Sequence, residues 1–224
     1  MPVKLIIGNK NYSSWSLRPW LAMKVAGIPF DEKVISLDAA DFKSRVGKVS
    51  GSGKVPALLD DDVQVWESLA ILEYLAERFP RAGLWPSDAA ARARARAIAA
   101  EMHAGFAPLR RLLPMNMRRP VRPRELTPEA QADLRRIESI WSDCRGRYGA
   151  GGAFLFGAFG AYMASAAPIV SRFHTYAVAV GPVTRTYMAS VIELPAWKEW
   201  GTAARQEAWV LPEDEVDWPT VLRE

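Results

Sequence analysis

Along roughly the first third of the chain, the apolar pattern changes period several times. Lys4 to Gly8 reads as a strand. From Trp15 to Ala26 the apolar residues Leu17, Trp20, Leu21 and Val25 recur at helical spacing, and Gly27-Ile-Pro supplies the glycine that follows a helix end. Phe30 to Ser36 reads as a second strand and Ala39 to Val46 as a short irregular helix. A third strand runs into Pro56, a fourth covers Val63 to Trp66, and an amphipathic helix occupies Glu67 to Phe79. Alternating strands and helices of this kind form one layered α/β unit. Pro80-Arg-Ala-Gly-Leu-Trp-Pro86 is dense in turn formers, so the boundary is placed there: residues 1–81, a linker at 82–87, and a second region at 88–224.

The second region is helical throughout. Ser87-Asp-Ala-Ala offers an N-cap, and the alanine-rich run that follows, with its high helix propensity, predicts one helix to about Leu113. Thr127-Pro-Glu-Ala opens the next helix with a capping threonine and a first-turn proline, and that helix runs to Tyr148 before Gly149-Ala-Gly-Gly. Phe154-Leu-Phe-Gly-Ala-Phe is a compact apolar turn into a very apolar stretch, Ala161 to Val180, read as the buried central helix. Two shorter helices end near Glu207, followed by a tail bearing Trp and Pro. The fold class is therefore α/β plus all-α.

Composition narrows the setting. No apolar run reaches the ~18 residues a membrane span needs, and the first residues read as a strand, not a secretory leader. The single cysteine, Cys144, excludes an internal disulfide and fits a reducing compartment, so a cytoplasmic location is expected. The net charge of +4 invites a nucleic-acid reading. Against it, the basic residues between Arg92 and Arg124 have almost no aromatic neighbours for base stacking, and Arg92, Arg94 and Arg96 fan around a helix instead of forming a stripe. They are taken as solvated surface. With only His103 and His174 in the chain, no metal site is expected. Gly51-Ser-Gly-Lys54 fails the phosphate-loop pattern, because Lys48 and Val55 stand where Gly and Ser or Thr are required.

Chemistry concentrates at residues 54–68. The helix that opens at Glu67–Ser68 presents free N–H groups and a positive dipole end, a ready site for a carboxylate. Glu67 is suited to an α-ammonium, while Ser68 and the helix start hold the α-carboxylate. With Val55–Pro56 upstream, the segment Lys54 to Pro80 resembles the glutathione-binding half of the glutathione S-transferase superfamily, in which V-P and E-S-x-A-I recur in this order. The resemblance covers nearly the whole chain and returns at Phe154-Leu-Phe-Gly, Ala167-Pro-Ile-Val and Leu194-Pro-Ala-Trp. It implies a thioredoxin-like first domain with a cis Val55–Pro56 bond, an all-helical second domain, and a homodimer. No nucleic-acid or membrane partner is expected.

Glutathione chemistry requires a donor aimed at the sulfur, and the head of the first helix adds its dipole to that bond. The sequence there is Tyr12-Ser13-Ser14-Trp15-Ser16-Leu17-Arg18, which resembles the serine-type, zeta-like S-S-x-S-x-R arrangement. The resemblance implies thiol activation by Ser13, with Ser14 as the alternative and Tyr12 as a weaker rival. It further implies that Val55, beside Pro56, pairs its backbone with the cysteinyl unit, that Lys54 meets the glycine carboxylate, and that Glu67 and Ser68 hold the γ-glutamyl end. The second-substrate pocket is expected between this loop and the first long helix, at Trp15, Met102, His103, Phe106 and Arg110. Trp15 replaces the cysteine that zeta-like members carry, which weighs against their isomerase activity on maleylacetoacetate, and redox-active relatives also need a cysteine here.

The implied function is conjugation of the glutathione thiolate, as co-substrate, to a small electrophile. Two alternatives stay open: a non-catalytic binding or scaffold module of the same fold, and a glutathione-dependent isomerase. One further departure is structural. Relatives open the buried central helix with Ser or Thr followed by Asp, a reciprocal cap, whereas Gly160 and Met163 stand here. Restoring the cap with Gly160→Ser and Met163→Asp is expected to stabilise.

Overall fold

The computed structural model describes residues 2–217; Met1 and residues 218–224, the last part of the tail expected after the helices, lie outside it. The α/β unit runs β1 (Val3–Ile7), α1 (Ser14–Val25), β2 (Phe30–Val34), α2 (Phe42–Gly47), β3 (Ala57–Asp60), β4 (Val63–Trp66) and α3 (Ser68–Arg78). The sheet order is β2-β1-β3-β4, with β1 and β2 parallel and the other two pairs antiparallel. The third strand begins after Pro56 instead of running into it. Proline has no N–H for a ladder bond, and the Val55–Pro56 peptide is cis, as the resemblance implied.

The helical region comprises α4 (Ala89–Ala104), α5 (Ala107–Leu112), α6 (Pro128–Tyr148), α7 (Ala161–Thr175), α8 (Pro182–Ile192) and α9 (Pro195–Gln206). The Asp88 carboxylate, not Ser87, caps α4 by accepting from Ala91 N–H at 2.8 Å. Thr127 caps α6 as its position predicts, accepting from Ala130 N–H at 3.3 Å. Two helix ends differ from the sequence reading. The alanine-rich helix does not continue to Leu113: Gly105 terminates α4, Phe106 takes φ 63°, and α5 restarts with Pro108 in its first turn. Helix α7 stops at Thr175, well before Val180. Ala177 adopts φ 45° and Val178 N–H reaches back to Phe173 O at 2.9 Å, the bond of a glycine-type helix stop made here by an alanine.

Helix α1 is enclosed on all sides, with every residue from Ser16 to Met23 buried. It lies between the sheet and α7. One apolar cluster runs from Leu5 and Ile7 of β1 through Leu17, Trp20 and Leu21 to Phe173 of α7 and Trp200 of α9. Trp20 and Trp200 meet edge to face at 5.0 Å, a geometry the ring quadrupoles favour. A small second cluster, Ile6, Ile35, Val46 and Ala57, fills the other face of the sheet under α2. Polar contacts also bridge the two regions: Glu73 of α3 accepts from Trp85 Nε1 at 3.0 Å and from the Arg96 fork at 3.0 and 2.9 Å. A part-exposed ion pair of this kind contributes under about 1 kcal/mol, so the shared apolar core sets the arrangement. The arginines read as solvated surface are in fact paired: Arg94 with Asp143, Arg96 with Glu73, and Arg92 with the carbonyls of Pro86 and Ser87.

The start of α7 is satisfied from outside the helix. Ala161 N–H donates to Leu84 O of the linker at 2.7 Å, and no side chain caps the helix. A Cβ at Gly160 would stand 2.6 Å from that same carbonyl oxygen. The expected gain from Gly160→Ser is thereby reversed: the glycine is there for the close approach of the linker backbone. We predict that Gly160→Ser, alone or with Met163→Asp, lowers stability by roughly 1–3 kcal/mol, the scale of an overpacked site. Denaturant midpoints check this, and a raised midpoint would show that the linker carbonyl can be displaced without loss.

Candidate active site

A cleft of about 300 Å³ opens at the junction of the two regions, lined by Trp15, Ser52, Lys54, Val55, Pro56, Glu67 and His103. Its floor is the turn before β3 and the head of α3. Glu67 precedes that helix at φ 70° and ψ 125°. Such a conformation costs a non-glycine residue on the order of 1–3 kcal/mol and persists only where the surroundings impose it. Behind Glu67, Ser68 is 1% exposed and its hydroxyl has no hydrogen-bond partner. An unmet buried hydroxyl costs about 1–3 kcal/mol. The α3 start has no side-chain cap, so its N–H groups are presented along with that hydroxyl.

The second wall is the start of α1. Ser13 is buried and does not cap the helix; its hydroxyl donates to Ser16 Oγ at 2.8 Å, and Ser16 Oγ also accepts from Gly8 N–H at 3.1 Å. Ser14 is half-buried. Tyr12 turns the other way. Its hydroxyl donates to Glu215 Oε1 at 2.6 Å and accepts from Arg118 Nη2 at 2.7 Å, and burial, then the Glu215 bond, push its pKa up to about 12. Its proton is committed to the C-terminal segment, which removes Tyr12 as a rival donor.

Trp15 forms the roof. The guanidinium of Arg18 lies 4.2 Å from its ring centre, that of Arg110 5.0 Å, and His103 meets it edge-on at 5.0 Å. Arg18 is 3% exposed, and its Nε and Nη1 have no partner. Burial, followed by the like charges of Arg110 and Arg172, drives its pKa well below the ordinary value, with Glu67 pulling the other way. An arginine keeps its charge nonetheless. His103 is also lowered, first by burial and then by Arg18, so its imidazole is neutral at pH 7. His103 Nε2 stands 3.6 Å from Glu67 Oε2.

Known proteins resemble this chain in the same places. Residues 12–78 match the family model described as "Glutathione S-transferase, N-terminal domain". Over these residues the chain is similar to the glutathione S-transferase N-terminal domain. A probable maleylacetoacetate isomerase of Caenorhabditis elegans is 37% identical over 99 residues, 44% of this chain and 45% of that one. Glutathione S-transferase Z2 of Arabidopsis thaliana is 27% identical over 228 residues, 95% of each. A Burkholderia glutathione transferase homolog, solved with bound glutathione, superposes with a TM-score of 0.69 at 22% identity, covering 92% of this chain and 100% of that one. This chain spans less than half the length of several of the curated relatives it matches.

The expected residues divide into three groups. Lys54, Val55, Pro56, Glu67, Trp15 and His103 share the cleft. Ser13, Ser14 and Ser68 stand at the heads of the two helices bordering it without lining it. Met102 and Phe106 belong to the buried core, and Arg110 turns back onto the carbonyls of Met102 and His103 at the end of α4. The helix break at Gly105 sets Arg110 on α5, where its guanidinium still lies 5.0 Å from the Trp15 ring centre. Ser16, Ser52, Arg18 and Arg172 were assigned no role from sequence. Ser16 and Arg18 sit inside the quoted S-S-x-S-x-R motif, which was the available signal; Arg172 lies within the apolar α7 and gave none. Cys144 is fully buried, and burial raises its pKa, which leaves it a packed thiol. Among the described residues, no three His, Cys, Asp or Glu side chains gather as a metal set.

Proposed function

We propose that this chain is a serine-type glutathione transferase that adds the glutathione thiolate to a small electrophile. The observation that carries the reading is the head of α3, where a strained Glu67 faces the cleft and the Ser68 hydroxyl is buried and unpaired. A γ-glutamyl zwitterion supplies what both lack, an ammonium for Glu67 and a carboxylate for Ser68 and the helix N–H groups. Val55 offers its backbone to the cysteinyl unit, and exposed Lys54 reaches the glycine carboxylate. Ser13 is the thiol donor. When its proton turns to the sulfur, Ser16 donates its own to Ser13 Oγ, so the pair stays hydrogen-bonded. Binding energy from the γ-glutamyl end then positions a sulfur that reacts elsewhere. A homodimer, a cytoplasmic setting and the division at residues 81 and 88 belong to the same reading.

A second reading has its own support. The Arg18 guanidinium, with Arg110 and Arg172 as like-charged neighbours, makes a buried positive site under Trp15, and Glu67 is the carboxylate that acts on Arg18 itself. That charge favours an electrophile with a carboxylate, and the Caenorhabditis relative carries the name of an isomerase of maleylacetoacetate. Isomerisation adds and then expels the same thiolate, so both readings share the Ser13 step. Trp15 in place of the family's cysteine weighs toward conjugation.

Four variants test these readings. Ser13→Ala lowers kcat/KM roughly tenfold or more, the scale of losing one preorganised donor, and Ser14→Ala lowers it less; titrating glutathione into the protein while following thiolate absorbance separates an enzyme from a binding module, which would leave the thiol protonated at neutral pH. Glu67→Ala raises the glutathione KM ten- to a hundredfold, since a charged hydrogen bond is worth about 1.5–3 kcal/mol; unchanged retention on immobilised glutathione by the folded variant would refute the anchor. Arg18→Met leaves stability unchanged or raised, because removing an uncompensated buried charge relieves desolvation. The same variant loses rate with anionic electrophiles and keeps it with neutral ones; equal losses with both would end the argument for a carboxylate substrate.

A further inference from the structure

The segment that delivers Ser13 to the cleft is held by the far end of the chain. Glu207, just past α9, accepts from two successive peptide N–H groups, Lys10 at 2.7 Å and Asn11 at 2.9 Å. Trp200 Nε1 donates to Lys10 O at 2.9 Å. The Asn11 side chain is fully buried, donating to Asn116 Oδ1 at 3.0 Å and accepting from Arg118 N–H at 2.8 Å. Tyr12 is bound by Glu215 and Arg118, and Asn116 Nδ2 closes the ring on Glu215 Oε2 at 2.9 Å. Ser13 N–H then donates to Asn9 O at 2.8 Å.

A largely buried network of this size is an expensive way to gain stability, because apolar residues of similar volume do as well or better. What it provides is a fixed backbone path, and the residue at the end of that path is the one whose hydroxyl must meet the sulfur. Rate is lost when such a donor is misplaced by a fraction of an ångström. We propose that Glu207 and Glu215 are positioning residues for the thiol site, acting through the backbone of residues 10–12 to fix the Ser13 hydroxyl. The inference rests on the serine-type reading and adds a function for the C-terminal segment that the cleft itself does not use.

Glu207→Gln tests it with little change of volume: the amide keeps one acceptor and sets an NH₂ against a peptide N–H. With glutathione and a halogenated aromatic electrophile, kcat/KM falls roughly tenfold, and the ionisation midpoint of the bound thiol rises by about one pH unit, the same factor expressed as an equilibrium. Glutathione affinity, measured at a pH where the thiol is protonated, stays within about twofold, since its anchors are on α3 and the turn before β3. Tyr12→Phe, which removes the hydroxyl between Arg118 and Glu215, moves both quantities the same way and serves if Glu207→Gln does not fold. A lower thermal midpoint with the bound thiol titrating as in the unsubstituted protein would overturn the inference, leaving these groups structural. If glutathione bound to the unsubstituted protein titrates like free glutathione, the serine-type reading fails and takes the inference with it.

Discussion

From Ser16 to Met23, helix α1 has no solvent face, and the remaining architecture follows from that. Its residues Leu17, Trp20 and Leu21 pack against the sheet on one side and the helical region on the other. The two regions therefore share one core, and the first turn of α1 emerges where they meet. Close packing tolerates little adjustment, so the position of Ser13 and Trp15 relative to α3 is set by the fit of α1 between its neighbours. Moving the helical region would move the site.

The cleft also holds several local costs together. Glu67 sits at positive φ, the Ser68 hydroxyl is unmet, and Arg18 carries a charge into a buried place beside two other arginines. Each alone is unfavourable by an amount comparable to a good hydrogen bond or more. The three stand around one cleft, Glu67 lining it and Ser68 and Arg18 at the heads of the helices that border it, where a ligand carrying both an ammonium and carboxylates would relieve them under the proposed reading. The lowered pKa of His103 fits the same logic, since it disfavours a further positive charge beside Glu67 at neutral pH.

Outside the cleft, charged groups are largely spent within the chain. Arg145 gathers the carbonyls of Gly149, Gly152 and Phe154 and so shapes the turn into α7. Arg119 binds Asp217 at 2.7 Å and three backbone carbonyls. The positive balance of the sequence is thus mostly a matter of helix ends and loops being held by guanidinium groups, whose planar fork suits several oxygens at once.

Much of the fold and part of the candidate site were legible in the sequence because their causes are local. A period of apolar residues, a threonine followed by a proline at 127 and 128, and a glycine after Ala26 each act on neighbours a few positions away. Val55–Pro56 and Glu67–Ser68 were readable for the same reason, as chemistry carried on adjacent residues. The stop of α7 was not, because Ala177 makes a turn that glycine usually signals; the break at Gly105, flanked by Pro108, had a signal that the strong alanine propensity outweighed. What only the tertiary structure decided involves partners far apart in the chain: Tyr12 with Glu215, Lys10 and Asn11 with Glu207, Ala161 with Leu84, and Arg18 beside Arg172. No local pattern records such pairs, since they exist only once the apolar core has brought the two ends of the chain against the same helix.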